Sequence, residues 1–365
     1  MPTPESWGHP PDVDIGADVR GRVERICLSD ADARTLRLRL LAAIGRAVPF
    51  DAYAWVLTDP ETSVGSSPLA AVPGLDAVPR LIRLRYLTVV NRWTALVDPA
   101  VATLSVATGG DLSRSLLWRD HLCRYDVSDV PSIAFRDPFG CWAFLELWRI
   151  GGRVFAPADV AVLEEVVAPV TAALRRAQAA TFAATPLGHP PSGPSVLLLS
   201  PELEVVRRTP GTHEQLRLLV PRDDAGPPVP AGAYNVAAQL LSVEAGLDPS
   251  PPMARVHLAD GLWVTLRAAR LDGGTGETSP DIAVTIEEST PAERLEVLAR
   301  SAGLSAREHE VLGHVAAGLD TRETASRMNL STYTVQDHLK SVFAKTGTRS
   351  RRSLVARARG GRPPS

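Results

Sequence analysis

Residues 330–342 read Leu330-Ser331-Thr332-Tyr333-Thr334-Val335-Gln336-Asp337-His338-Leu339-Lys340-Ser341-Val342. At about 100° per residue, with Val335 at zero, Leu339 falls at about 40° and Val342 at about −20°. These three form a narrow stripe suited to burial. Gln336, Asp337, Lys340 and Tyr333 fall between about 100° and 200°, on the opposite face. Ser331 stands where a helix N-cap belongs. The outer face carries groups that read base edges: Gln pairs with adenine, Asp accepts from cytosine, and Lys donates to guanine or phosphate.

Working outward, three more short helices are expected. Ser305 with Glu308 forms a capping box for the first. Val311, Leu312 and Val315 are its core face, and Gly318 is its stop. Asp320 or Thr321 caps the second, which carries Ala325 and Met328; Ser350 starts the last. Two helices presenting a polar-faced third make a helix-turn-helix. This stretch resembles the LuxR-type helix-turn-helix of bacterial transcription regulators across nearly all of residues 303 to 357. The resemblance rests on Arg307-Glu308, on the Ser331-x-x-Thr334-Val335-x-x-His338 start of the third helix, and on Lys345. It implies that the third helix enters the major groove with Gln336, Asp337 and Lys340 toward the bases. Thr334, His338 and Lys345 would touch backbone or brace the helix pair. The full DNA-facing set expected is Thr332, Tyr333, Thr334, Gln336, Asp337, His338, Lys340, Lys345, Arg349 and Arg351, with the recognition helix spanning 332–345. Thr324, Thr346 and Thr348 stand where the family usually has aliphatics, and Asp337 brings a negative charge to the groove.

Charge is distributed to match. Net charge over all 365 residues is −2, but from Arg300 onward twelve bases face five acids, a net +7. That leaves 27 bases against 36 acids, −9, for residues 1–299. A small basic unit on an acidic body suits a polyanion partner.

Upstream, Pro/Gly-rich stretches separate two α+β segments. In the first, 15–182, Ser29 and Asp30 are candidate caps for a helix carrying Leu36, Leu40, Leu41, Ile44 and Val48. A strand over Ala52–Leu57 and a helix over Ile82–Leu96 follow. Ser132–Arg136 and Cys141–Ile150 form a hairpin, and Pro157–Ala179 a long helix. In the second, 195–288, strands are expected at Val196–Leu199, Val205–Arg207, Ala254–Leu258, Leu262–Ala269 and Ile282–Ile286. Helices are expected at Thr212–Leu219 and Ala233–Ala245, with an irregular stretch between them. The first segment resembles a GAF domain and the second a PAS-type sheet. The fold class is therefore multidomain: two sensor-like α+β domains, then an all-α four-helix unit over 303–358, joined through a helix from Pro291 to Ala302.

Other chemistry is sparse. Lys340 and Lys345 are the only lysines among 39 basic residues and neither follows a glycine, which excludes a Walker-A loop. With no lysine before position 340, a Schiff-base enzyme, a standard kinase and a standard receiver domain are excluded too. Cys27, Cys123 and Cys141 are too scattered for a disulfide framework and are expected to be buried thiols. His121 near Cys123 lacks partners at zinc spacing, and Glu164-Glu165 reads as a solvated helix face. Tyr53, Trp55, Trp142, Phe144 and Trp148 read as core. No enzyme activity, cofactor or metal is expected, nor a membrane span; a cytoplasmic location is. The reading is a transcription regulator that binds double-stranded DNA as a homodimer, with a small-molecule ligand or dimer state as its input. The rival is a non-enzymatic interaction module whose C-terminal helices dock on another regulator.

Overall fold

The structure is a computed structural model, which describes residues 15–74, 77–183, 195–210, 212, 231–258, 262–272 and 278–359. The helix expected at Thr212–Leu219, the linker around 185–194 and the Asp260-Gly261 turn lie wholly or almost wholly outside them.

The first domain runs α1 (Ile15–Cys27), α2 (Ala33–Ala47), β1 (Ala52–Thr58), β2 (Gly65–Ala71), α3 (Val78–Leu87), β3 (Val101–Thr103), α4 (Leu104–Ala107), α5 (Leu116–Asp120), β4 (Val127–Asp129), β5 (Pro131–Asp137), β6 (Gly140–Ile150) and α6 (Pro157–Ala180). Its antiparallel sheet has the order β2-β1-β6-β5-β3, with β4 paired to β6. Strand alternation sends Trp55, Ile133, Leu145 and Leu147 to one face, where α1, α2 and α6 cover them. Val56, Ala134 and Phe144 point to the other, against Trp93 and Leu96.

The second domain comprises β7 (Ser195–Leu199), β8 (Val205–Arg208), α7 (Ala231–Glu244), β9 (Met253–His257), β10 (Trp263–Asp272) and β11 (Thr278–Glu288). Its sheet order is β8-β7-β11-β10-β9, all antiparallel. Numbered within each domain, and with β4 set aside, both sheets follow the order 2-1-5-4-3. The helix α7 is buried nearly all round from Ala231 to Gln239, because it lies between its own sheet and the first domain. Then come α8 (Pro291–Ser301), α9 (Ala306–Ala316), α10 (Thr321–Met328), α11 (Thr332–Thr346) and α12 (Arg351–Arg359). No helix among the described residues is long and apolar enough to cross a membrane.

Several expectations need correction. The cap of α2 is Asp32, whose Oδ1 accepts from Arg34 N at 2.9 Å and Thr35 N at 3.0 Å, rather than Ser29 or Asp30. The helix expected at Ile82–Leu96 is instead α3, which stops at Leu87. Thr88 is extended (φ −71, ψ 139) and Asn91 turns left-handed (φ +52), with one 3-10 turn at Trp93–Ala95. The second-domain helix starts at Ala231, two residues early. Cys123 is exposed, unlike Cys27 and Cys141, because it lies on the outer side of a 3-10 turn over Leu122–Tyr125 whose Leu122 points inward. The helices α1, α3 from Val78, and the strands β2, β3 and β4 were not anticipated.

The domains are in contact. Asp59, fully buried, accepts from Arg255 Nε at 2.7 Å, Nη2 at 2.8 Å and backbone N at 2.9 Å across the interface. Arg255 also reaches Glu61 at 2.7 Å.

Candidate nucleic-acid interface

Three N-caps and two left-handed residues at helix C-termini set the local geometry of the C-terminal unit. Ser305 Oγ accepts from Glu308 N at 3.4 Å while Glu308 Oε2 accepts from Ser305 N at 2.7 Å, starting α9. Gly318 leaves α9 at φ +89, a conformation few side chains tolerate. Asp320 and Glu323 exchange bonds of 2.8 and 2.7 Å to start α10. Asn329, left-handed at φ +52, ends α10, and Ser331 Oγ accepts from Thr334 N at 3.0 Å to begin α11. Three residues thus separate α10 from α11.

The core joins Val311, Leu312 and Val315 of α9, Ala325 and Met328 of α10, Val335, Leu339 and Val342 of α11, and Leu354 of α12. The aliphatic stripe of α11 therefore faces inward. Thr332, Tyr333, Gln336, Asp337 and Lys340 are exposed, Tyr333 at 70%. Lys340 Nζ lies 3.1 Å from Asp337 Oδ1, a solvent-screened pair that leaves the lysine available. Thr334 and His338 are half-buried at the edge of this face, and Thr334 bonds Ser331.

Three expected contacts have different surroundings. Lys345 Nζ is 2.6 Å from Glu308 Oε2, tying α11 to α9. Arg351 donates to Leu319 O and Thr321 Oγ1, each at 2.8 Å, and so pins the α9–α10 turn from α12. Arg349 presents its side chain to solvent. The departures from family aliphatics are all satisfied. Thr324 Oγ1 donates to Asp320 O, Thr346 Oγ1 donates to Val342 O, both at 2.7 Å, and Thr346 meets Thr348 at 2.9 Å. A buried hydroxyl that returns its hydrogen bond to its own helix costs little.

Glu308 went unrecognised as a hub. Besides Ser305 and Lys345 it accepts from Ser341 Oγ. Burial works to raise its carboxyl, but Lys345, Ser341 and the Ser305 N–H outweigh that and bring it down to about 2. The capping spacing signalled one of these partners; the others lie 33 and 37 residues on.

With this geometry, residues 302–358 match the family model described as bacterial regulatory proteins of the luxR family. This segment is a LuxR-type helix-turn-helix domain. A probable HTH-type transcriptional regulator, GfsR of Streptomyces halstedii, is 32% identical over 85 residues, 23% of this chain. The chain spans about a quarter of that relative, 27% of its length. Among solved structures, Escherichia coli SdiA is similar at 11% identity and TM-score 0.34, covering 95% of this chain and 98% of that one. A Vibrio cholerae VqmA–ligand–DNA complex is similar at 17% identity and TM-score 0.20, covering 46% and 84%.

The LuxR-type domain is attached through α8 and α12. Phe182 stacks on Trp263 at 4.8 Å, and Val297, Leu298 and Ala358 close over them. Its helix α11 packs on α9 and α10, leaving the polar face open. Elsewhere, His121 is buried beside Tyr125, and Glu164 and Glu165 are exposed. Among the described residues no three metal-ligating side chains converge.

Proposed function

We propose that this chain is a sequence-specific DNA-binding transcriptional regulator whose helix α11 lies in the major groove. One observation carries the reading: Val335, Leu339 and Val342 are buried while Gln336, Asp337 and Lys340 stand together in solvent. Gln336 and Asp337 read base edges, and Lys340 trades its exposed aspartate for guanine or phosphate. Thr332, Tyr333, Thr334, His338 and Arg349 border the backbone, and Lys345 and Arg351 hold the helices at their angle while lying close to phosphates. The upstream domains, GAF-like over 15–182 and PAS-like over 195–288, supply the input through a ligand or through dimer geometry. Their matching strand order supports treating them as related sensor modules. In a homodimer on a two-fold operator, two recognition helices sit about 34 Å apart.

Gel-shift titrations against duplexes selected from a random pool test this. Wild-type affinity falls steeply between about 50 and 200 mM salt, as counterion release requires. Lys340→Ala weakens binding to all sequences and lowers the salt slope by about one. Gln336→Ala costs about 1–3 kcal/mol on the selected site and relaxes preference at one position. Absent or salt-insensitive binding favours the interaction module instead, and equal losses on every sequence for Gln336→Ala overturn its reading role.

A further inference from the structure

The second face of the first sheet carries an acid at its centre. Register sets Ala54, Glu146 and Ser132 abreast on β1, β6 and β5, all on the α3 side. Glu146 is 3% exposed; its Oε1 accepts from Ser132 Oγ at 3.1 Å and Trp93 Nε1 at 3.2 Å, and the Arg85 guanidinium pairs with it at 2.9 Å. Its Oε2 accepts nothing from the described residues. Beside it is a cavity of about 540 Å³, of the size that holds small organic ligands. Among the described residues the walls are apolar apart from this acid, Arg85, Asn235, the polar atoms of Tyr86 and Trp93, and Arg34 at the exposed mouth.

The cavity is not closed by its own domain. Ala231 and Asn235 of α7, in the second domain, form part of the wall. On α3, Val78, Ile82 and Tyr86 line the cavity and also pack into the second domain's core. Tyr86 Oη further accepts from Gly65 N at 2.9 Å. A molecule in this space therefore touches both domains at once.

We propose that the cavity takes a neutral, largely apolar small molecule carrying a hydroxyl or N–H that donates to Glu146 Oε2, with the second domain as its lid. The charge of Glu146 is already balanced by Arg85, so a neutral ligand adds no unpaired charge to a low-dielectric site, whereas an anion does. The free carboxylate oxygen asks for a donor, and the walls ask for hydrocarbon. Binding energy spent on α3 and α7 favours the seated arrangement of the two domains. This deepens the reading of the upstream domains as the input side and rests on it.

The full-length chain, without DNA, is titrated with 1-decanol, decanoate and decane, following tryptophan fluorescence and thermal midpoint. Glu146→Gln strips Arg85 of its partner and risks the fold, so Ala54→Val and Ala54→Leu fill the space beside the acid instead. The expected result is a saturable fluorescence change and a raised midpoint with 1-decanol. Decanoate and decane bind at least tenfold more weakly, and decanol affinity falls progressively from Ala54 to Val to Leu. No saturable response to decanol overturns the proposal. So does decanoate binding equally well, which points to Arg34 at the mouth, or a response indifferent to filling at position 54. Because DNA is absent, failure here leaves the gel-shift test of the DNA-binding reading untouched.

Discussion

Glu308 holds the ends of two helices with one carboxylate: it caps α9 at Ser305 and grips Ser341 and Lys345 on α11. Because those donors favour the ionised form, its folded value is about 2 against an ordinary 4.5. A depressed carboxylate stabilises the fold fully above the unfolded value, and that stability is lost as pH falls from about 4.5 toward 2. Wild-type protein therefore loses amide-exchange protection in α9 and α11 over this window. Glu308→Gln keeps the shape, costs about 1.5–3 kcal/mol at pH 7, and flattens the acid-dependent part. An acid transition unchanged in Glu308→Gln would show that other carboxylates govern it. The capping role was legible because Ser305-x-x-Glu308 is a local spacing. The grip on α11 was not, since it depends on the angle at which two helices cross. The same limit applies to Arg351: nothing local announced that its guanidinium donates to the α9–α10 turn.

At the level of elements, the turn between α10 and α11 depends on Asn329 in the left-handed region, its N–H reaching the carbonyls of Ala325 and Ser326. Asparagine tolerates that conformation and most L residues pay about 1–2 kcal/mol for it. Asn329→Ala is expected to lower the stability of the C-terminal unit by about 1 kcal/mol, while Asn329→Gly stays within about 0.5 kcal/mol of wild type. Urea unfolding followed by amide protection in α10 and α11 measures both. Equal losses for Ala and Gly would mean that the asparagine side chain matters and the backbone angle does not. Helices with a clear stripe and a local start signal were readable in the sequence: α6 from Pro157, and α9, α10 and α11 from their caps. What failed was less periodic. The helix α3 is partly enclosed by two domains, so its apolar residues point several ways, and its end is set by a left-handed Asn91 that no periodicity announces. The short strands β3 and β4, three residues each, carry too little alternation to stand out.

Across the whole molecule, composition marked the linkers, but nothing in it marked how the domains meet. Asp59 closes a turn after β1 and Arg255 belongs to β9, 196 residues later; their pairing needs the second sheet to lie against the first. From there charges continue toward the DNA-binding unit: Glu61 lies between Arg255 at 2.7 Å and Arg300 of α8 at 4.0 Å, Arg300 pairs with Glu296 at 2.7 Å, and Glu296 meets His309 of α9 at 3.1 Å. The buried first link matters most. Asp59 is fully buried and Arg255 is 4% exposed, so removing the acid leaves a cation in the interface without its bidentate partner. That loss is expected to cost about 3–5 kcal/mol; replacing both partners with apolar groups removes the stranded cation and so costs less, with the N–H groups of Glu61, Thr62 and Arg255 losing their acceptor as the remaining penalty. Asp59→Asn should therefore split the calorimetric unfolding of the two α+β domains into separate transitions, and Asp59→Leu with Arg255→Met should bring them back together. The double variant retains the packing of α7 on β2 and α3 but lacks the charge relay. If upstream input reaches the DNA through that relay, the double variant keeps joint unfolding yet loses any effect of the upstream domains on DNA affinity. If input travels through the packed faces of α6, α8 and α12, it keeps both. A single variant that still unfolds in one step would show that apolar contacts alone weld the domains.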